Sequence, residues 1–147
     1  MFFLGGSVGE EFGWAYATDV MIARWRPIVA IVALGIIGPC WHIPLFFIAG
    51  TSQSHLPFWM FMIAVASMRI MYVWAYQGTK KSILTTLLFH TSGNMASNLF
   101  MLVSYNGTDQ RLFLIFALLS FAAAVAIAIK APFYRNKSAL GAEARPG

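Results

Sequence analysis

Apolar positions in this chain come in long runs rather than in the short alternations of a water-facing fold. Four runs reach the length of about 20 residues that spans a bilayer core. They lie at 27–49, 57–77, 82–104 and 112–131. An earlier run at 10–25 is shorter and carries Glu10, Glu11 and Asp19. It reads as a helix packed among the others, or as the C-terminal part of a longer one. The pattern predicts an all-α fold: a multi-span transmembrane helical bundle of four spans plus a shorter N-terminal helix carrying Glu10 and Glu11. Residues 1–9, with Gly5, Gly6 and Gly9, read as a flexible N-terminus. Residues 10–131 form the core, and the polar stretch 132–147 reads as a disordered cytoplasmic tail. No internal repeat is visible.

Composition strengthens the membrane reading. Of 147 residues, 59% are hydrophobic and 10% are charged, and the mean hydropathy is +0.70. A soluble domain carries roughly 25% charged residues, so this chain cannot cover a water-facing surface. The net charge is +5, but the basic residues are scattered at the ends of the runs. That distribution excludes a nucleic-acid surface and reads instead as topology. Arg24, Arg26, Lys80, Lys81, Arg135 and Lys137 fall on one side if the spans alternate, with Arg111 on the other. Positive charge marks the cytoplasmic face, so an integral, multi-pass membrane protein with that side in the cytoplasm is expected. Trp59, Trp74, Tyr72 and Tyr76 suit interfacial belts. Cys40 is the single cysteine and can form no internal disulfide. Residues 1–4 are too short for a signal-peptide core, so insertion is expected to rest on the spans themselves.

Polar groups inside the runs carry the candidate chemistry. Ionisable side chains at membrane depth cost several kcal/mol and persist mainly where they face a protein interior. His90 and Asn94 lie four apart in a charge-free run, and Thr86, His90, Asn94 and Ser97 share one helical stripe. For Thr86 and Ser97, helix-to-helix hydrogen bonding is the plainer reading. The stretch 38–44 (Gly-Pro-Cys-Trp-His-Ile-Pro) breaks the first span, since Pro39 removes a backbone donor. That break serves packing alone, or opens a wet pocket beside His42. Glu10 and Glu11 follow Gly9 and also suit a helix N-terminal turn. Adjacent residues point about 100° apart, so only one of them can share a face with His42. If the chain turns near residues 25–27, Glu10 and His42 each lie about 22 Å from the turn at 1.5 Å rise. His90 and Asn94 then lie roughly 12 and 18 Å in from Ser82. Arg69 is an unusual charge within the second span. By the same rise it lies about 12 Å from the cytoplasmic end and Asp19 about 9 Å. An Asp19–Arg69 ion pair is expected, with Glu11 a less level partner and solitary snorkelling the alternative.

These residues resemble the CPBP intramembrane proteases, also called the Abi or CAAX-protease family, which includes the eukaryotic Ras-converting enzyme. The family pattern is E-E-x-x-x-R, then F-x-x-x-H, then H-x-x-x-N. Here it is matched by Glu10-Glu11, by His42 and by His90 with Asn94, over about residues 10–98. Two positions depart from it: Ala15 stands where the arginine would fall and Gly38 where the phenylalanine would fall.

The resemblance implies an intramembrane endopeptidase acting on a peptide or small-protein substrate. Glu10 would be its general base and His42 would help to activate water. His90 and Asn94 would stabilise the oxyanion, with Glu11 supporting them from behind. No cofactor is demanded. A metalloprotease version would hold zinc on Glu10, His42 and His90 with water in the fourth position. Two rivals stay open: a catalytically impaired pseudoprotease or immunity-type membrane protein, which Ala15 favours, and a small proton-coupled transporter.

Overall fold

The computed structural model describes residues 2–105 and 109–131, with side chains from residue 7 onward. The expected tail at 132–147, with Arg135 and Lys137, lies outside the described residues. Among the described residues five helices follow one another: α1 (Phe2–Arg24), α2 (Pro27–Trp41), α3 (Phe58–Gly78), α4 (Ile83–Leu99) and α5 (Arg111–Lys130). Two short 3₁₀ turns, Ile43–Phe47 and Gln53–His55, connect α2 to α3. Among the described residues there is no strand. The protein is an all-α membrane bundle.

Local chemistry sets the helix ends. Pro27 opens α2 at its first position, where no partner for an N–H is needed. Pro57 precedes α3 in extended geometry. Ser82 caps α4 by accepting from Thr85 N at 3.4 Å. Pro39 stands in the last turn of α2, and the chain passes from α to 3₁₀ geometry at His42. Helices α3 and α4 both end with a left-handed residue. Lys80 has φ 53° and Met101 has φ 47°. In each turn a 6→1 hydrogen bond closes the helix, Lys81 N to Tyr76 O at 2.8 Å and Leu102 N to Ser97 O at 2.9 Å. A lysine at φ 53° carries the Cβ strain that glycine avoids. Lys80→Gly is therefore expected to raise stability by about 1 kcal/mol, read as a higher thermal midpoint in detergent.

Helix α3 is central and packs against α5, α2 and α4, while α1 packs against α4 and α2. Two apolar clusters lie towards the two ends of α3. One joins Ile22, Ala30, Ile31, Leu34, Val73 and Ala131. The other joins Leu56, Phe61, Ala64, Val103, Phe113 and Ala117. The polar side chains of α3, Ser67 and Arg69, lie between them and are buried. Helix α1 is apolar outward and polar inward. Its buried stripe is Ser7, Glu11, Ala15, Thr18 and Ile22, whereas Phe12 and Tyr16 are 59% and 73% exposed. That inversion suits a lipid surround and a polar interior.

Several expectations need correction. Residues 5–9 lie within α1 and are helical, not a flexible approach to it; the turn begins earlier than the first charged residue suggested. Among the described residues three helices, not four, are long and apolar enough to cross a membrane: Pro27–Phe47, Phe58–Gly78 and Arg111–Lys130. The run at 82–104 forms only a 17-residue helix. Gly93, Asn94, Ser97 and Asn98 are weak helix formers, and the left-handed turn at Met101 stops it. Tyr72 and Tyr76 are 5% and 6% exposed and sit inside the bundle, while Trp59 and Trp74 are exposed.

The ends of α1 and α3 and the start of α4 share one side of the bundle. Lys81 Nζ lies 3.0 Å from Asp19 Oδ1, and Tyr76 donates to Asp19 Oδ2 at 3.2 Å. On the opposite side, Gln110 donates to His55 O at 2.9 Å and so fastens the start of α5 to the turn before α3.

Candidate active site

The Asp19–Arg69 pair does not form. Arg69 reaches Glu11 instead, Nη1 to Oε1 at 3.3 Å, with side chains 5% and 2% exposed. Helical side chains lean towards their own N-terminus. Helices α1 and α3 both end on the Lys81 side, so that lean carries Arg69 away from the Asp19 level and deeper into the bundle. Glu11 is on the buried stripe of α1, whereas Asp19 is off it and is taken by Lys81 and Tyr76.

Glu10, one position before Glu11, turns to a different neighbour. Its Oε1 lies 3.7 Å from His42 Nε2, with side chains 24% and 16% exposed. His42 is oriented from its other nitrogen. At the end of α2 its backbone N–H bonds to Pro39 O at 3.1 Å. The ring Nδ1 bonds to Gly38 O at 2.8 Å. A carbonyl only accepts, so Nδ1 carries the hydrogen and Nε2 is the nitrogen presented to Glu10. Phe61 flanks the ring at 5.4 Å between centroids.

His90 is oriented in the same way by a different acceptor. Its Nδ1 donates to Glu11 Oε1 at 2.9 Å. Its ring stacks on Tyr72 at 5.2 Å and 26°. One turn further along α4, Asn94 Nδ2 donates to Ser7 Oγ at 3.4 Å. Asn98 Nδ2 in turn donates to Asn94 O at 2.8 Å. Thr86 is buried and spends its hydroxyl on Ile83 O at 2.9 Å.

Glu10, His42, His90, Asn94 and Ser97 all line one cavity of about 600 Å³, with Arg69 and Tyr72 behind them. The rest of its wall is mixed: Phe61, Val65, Met68, Phe113 and Phe116 are apolar, whereas Thr51, Ser52, Gln53 and Asn98 are polar. Gly93 also lines it, and a Cβ there would meet Met68 Cε at 3.1 Å. Glu11 is absent from the lining: it lies behind His90. Ser7, Trp14 and Tyr72 are site neighbours that spacing alone did not single out. Tyr72 follows Arg69 by three residues, the i, i+3 spacing that puts both on one face.

Among the described residues, no three His, Cys, Asp or Glu side chains are disposed to hold a metal ion. Glu10 faces His42, and His90 is held separately by Glu11.

Comparison with known proteins places the sequence in a family. Residues 1–96 match the family model described as Rce1-like, type II CAAX prenyl endopeptidase. CAAX prenyl protease 2 of Methanococcus maripaludis is 30% identical over 97 residues, which is 61% of this chain. The chain spans about a third of that relative, 36% of its length. The matched stretch spans the positions of Glu10, Glu11, His42, His90 and Asn94, and the chain belongs to the Rce1-like family of membrane-embedded CAAX-type endopeptidases.

Proposed function

We propose that this chain hydrolyses peptide bonds within the membrane by a glutamate-dependent mechanism. The observation that carries the reading is the Glu10–His42 separation of 3.7 Å at the wall of the cavity shared with His90 and Asn94. That gap is too long for a direct hydrogen bond, and a water beside the pair, on the cavity side, can reach both atoms. Glu10 takes one proton from that water, and the hydroxyl attacks the scissile carbonyl carbon. His42, locked by Gly38 O, holds the water through Nε2. The carbonyl oxygen becomes an oxyanion and accepts from an Asn94 Nδ2 hydrogen. His90, oriented at Nδ1 by Glu11, closes the other side of the oxyanion site. The tetrahedral carbon then expels the amine. The proton held by Glu10 passes to the leaving nitrogen, giving a carboxylic acid and an amine, and the acid's proton then moves to the amine to leave a carboxylate and an ammonium.

The substrate is a peptide or small protein that enters from the membrane, and the aromatic and aliphatic part of the wall suits an apolar or prenylated segment beside the scissile bond. The proposed setting is the cytoplasmic membrane of a prokaryotic cell, with the Lys80–Lys81 end at the cytoplasm. Purified protein in detergent is expected to cleave members of a fluorogenic peptide library, and chelation is expected to leave the rate unchanged. Rate loss on chelation with recovery on added zinc would return the metal version. Asn94→Ala is expected to lower kcat about 10²-fold, as loss of an oxyanion donor does. The rival reading, a non-catalytic binding protein, draws on Ala15. A folded protein that cleaves nothing in the library would favour it.

A further inference from the structure

Arg69 sits where one charge controls several site groups at once. It is 4% exposed. Its guanidinium carbon lies 4.6 Å from the Trp14 ring centroid and 5.4 Å from that of Tyr72. Its Nη1 meets the same Glu11 oxygen that accepts from His90 Nδ1. Tyr72, beside the guanidinium, also stacks on the His90 ring. Two contacts therefore run from Arg69 to His90, one through Glu11 and one through Tyr72. Neither touches the reacting atoms.

The surrounding residues are small at the two places that would otherwise crowd it. Ala15 and Arg69 line a small cavity of about 10 Å³, roughly the space of one water. At Gly38, a Cβ would lie 4.0 Å from Arg69 Nε, so a large side chain there would press on the guanidinium. Position 15 is one turn from Glu11 on the same buried stripe of α1. An arginine placed there would send its guanidinium into the space Arg69 fills from α3. There is room for one such group and not for two.

We infer that Arg69 is a positioning residue for His90, acting through Glu11 and Tyr72, and that it delivers from α3 a guanidinium that this site can equally receive from position 15 of α1. The inference rests on the peptidase reading only for its kinetic readout. The test compares wild type, Arg69→Met, Ala15→Arg and the double variant in detergent. Readouts are kcat, KM, thermal midpoint and the ¹⁵N signals of the His90 ring. Arg69→Met is expected to lower kcat at least roughly tenfold with KM within about twofold, because the loss falls on the reacting geometry rather than on binding. Its His90 Nδ1 signal is expected to lose the hydrogen-bonded position. Ala15→Arg alone is expected to lower both midpoint and kcat by crowding. The double variant is expected to recover kcat to within about threefold of wild type, together with the wild-type His90 signal.

Unchanged kcat and His90 signals in Arg69→Met would overturn the positioning role. A double variant no better than Arg69→Met would overturn the exchange of positions. If Arg69→Met does not fold, the double variant decides: a folded protein with the wild-type His90 signal supports the inference, and an unfolded one overturns it. If the wild-type chain cleaves nothing, the peptidase reading fails, while the ring signals still decide the positioning role.

Discussion

Glu10→Gln is expected to abolish cleavage, with kcat reduced by at least ~10³-fold, and to leave the fold intact. Glutamine keeps the shape and polarity of the side chain but cannot take a proton from water. General-base contributions alone reach about 10²–10⁴-fold, and here the same group also returns the proton to the leaving nitrogen. The fold should be indifferent because Glu10 is part-exposed to the cavity and its neighbour His42 is held by Gly38 O, not by Glu10. The measurement is kcat on the best library substrate beside the thermal midpoint. Residual cleavage near the wild-type rate would remove Glu10 from the chemistry. A large fall in midpoint would make it structural.

Glu11→Leu should behave in the opposite way, with the main loss in stability. Glu11 is 2% exposed and accepts from Arg69 and His90 on one oxygen. Leucine leaves the Arg69 guanidinium buried without a counter-charge, which costs about 3–5 kcal/mol when one partner of a buried pair is removed. The thermal midpoint in detergent should fall sharply. The combined variant Glu11→Leu with Arg69→Met should regain much of the lost midpoint, since the orphaned charge goes with it. A double variant no more stable than Glu11→Leu would contradict this account. Two adjacent carboxylates thus differ because a helix turns about 100° between them: one faces the cavity and the other faces the interior.

How much of this was legible beforehand depends on what sets each feature. The all-helical membrane fold followed from the apolar runs, because run length and bilayer thickness are directly comparable. The approach of Glu10 to His42 could be estimated from helical rise, since a short turn at 25–27 makes α1 and α2 antiparallel neighbours. The inward stripe of α4 was visible in the spacing of Thr86, His90, Asn94 and Ser97. The partner of Arg69 was not, because rise locates backbones and a long side chain travels along the helix axis before it meets anything. The burial of Tyr72 and Tyr76 was hidden for a different reason. A tyrosine near a span end suits both an interface and an interior, and only the central position of α3 in the bundle decides between them. The early end of α4 turned on weak helix formers and on Met101 adopting a left-handed conformation usual for glycine.

The polar-inward stripe of α1 has a consequence for biogenesis. The ribosome releases Glu11 long before its partners: Arg69 follows 58 residues later and His90 follows 79 residues later. Until then the first helix presents an unmatched carboxylate, which hydrocarbon rejects. It must therefore wait at the membrane surface or beside the insertion machinery. It can settle only when α3 arrives with its cation, so α1 is made before α2 and α3 and seated only after them.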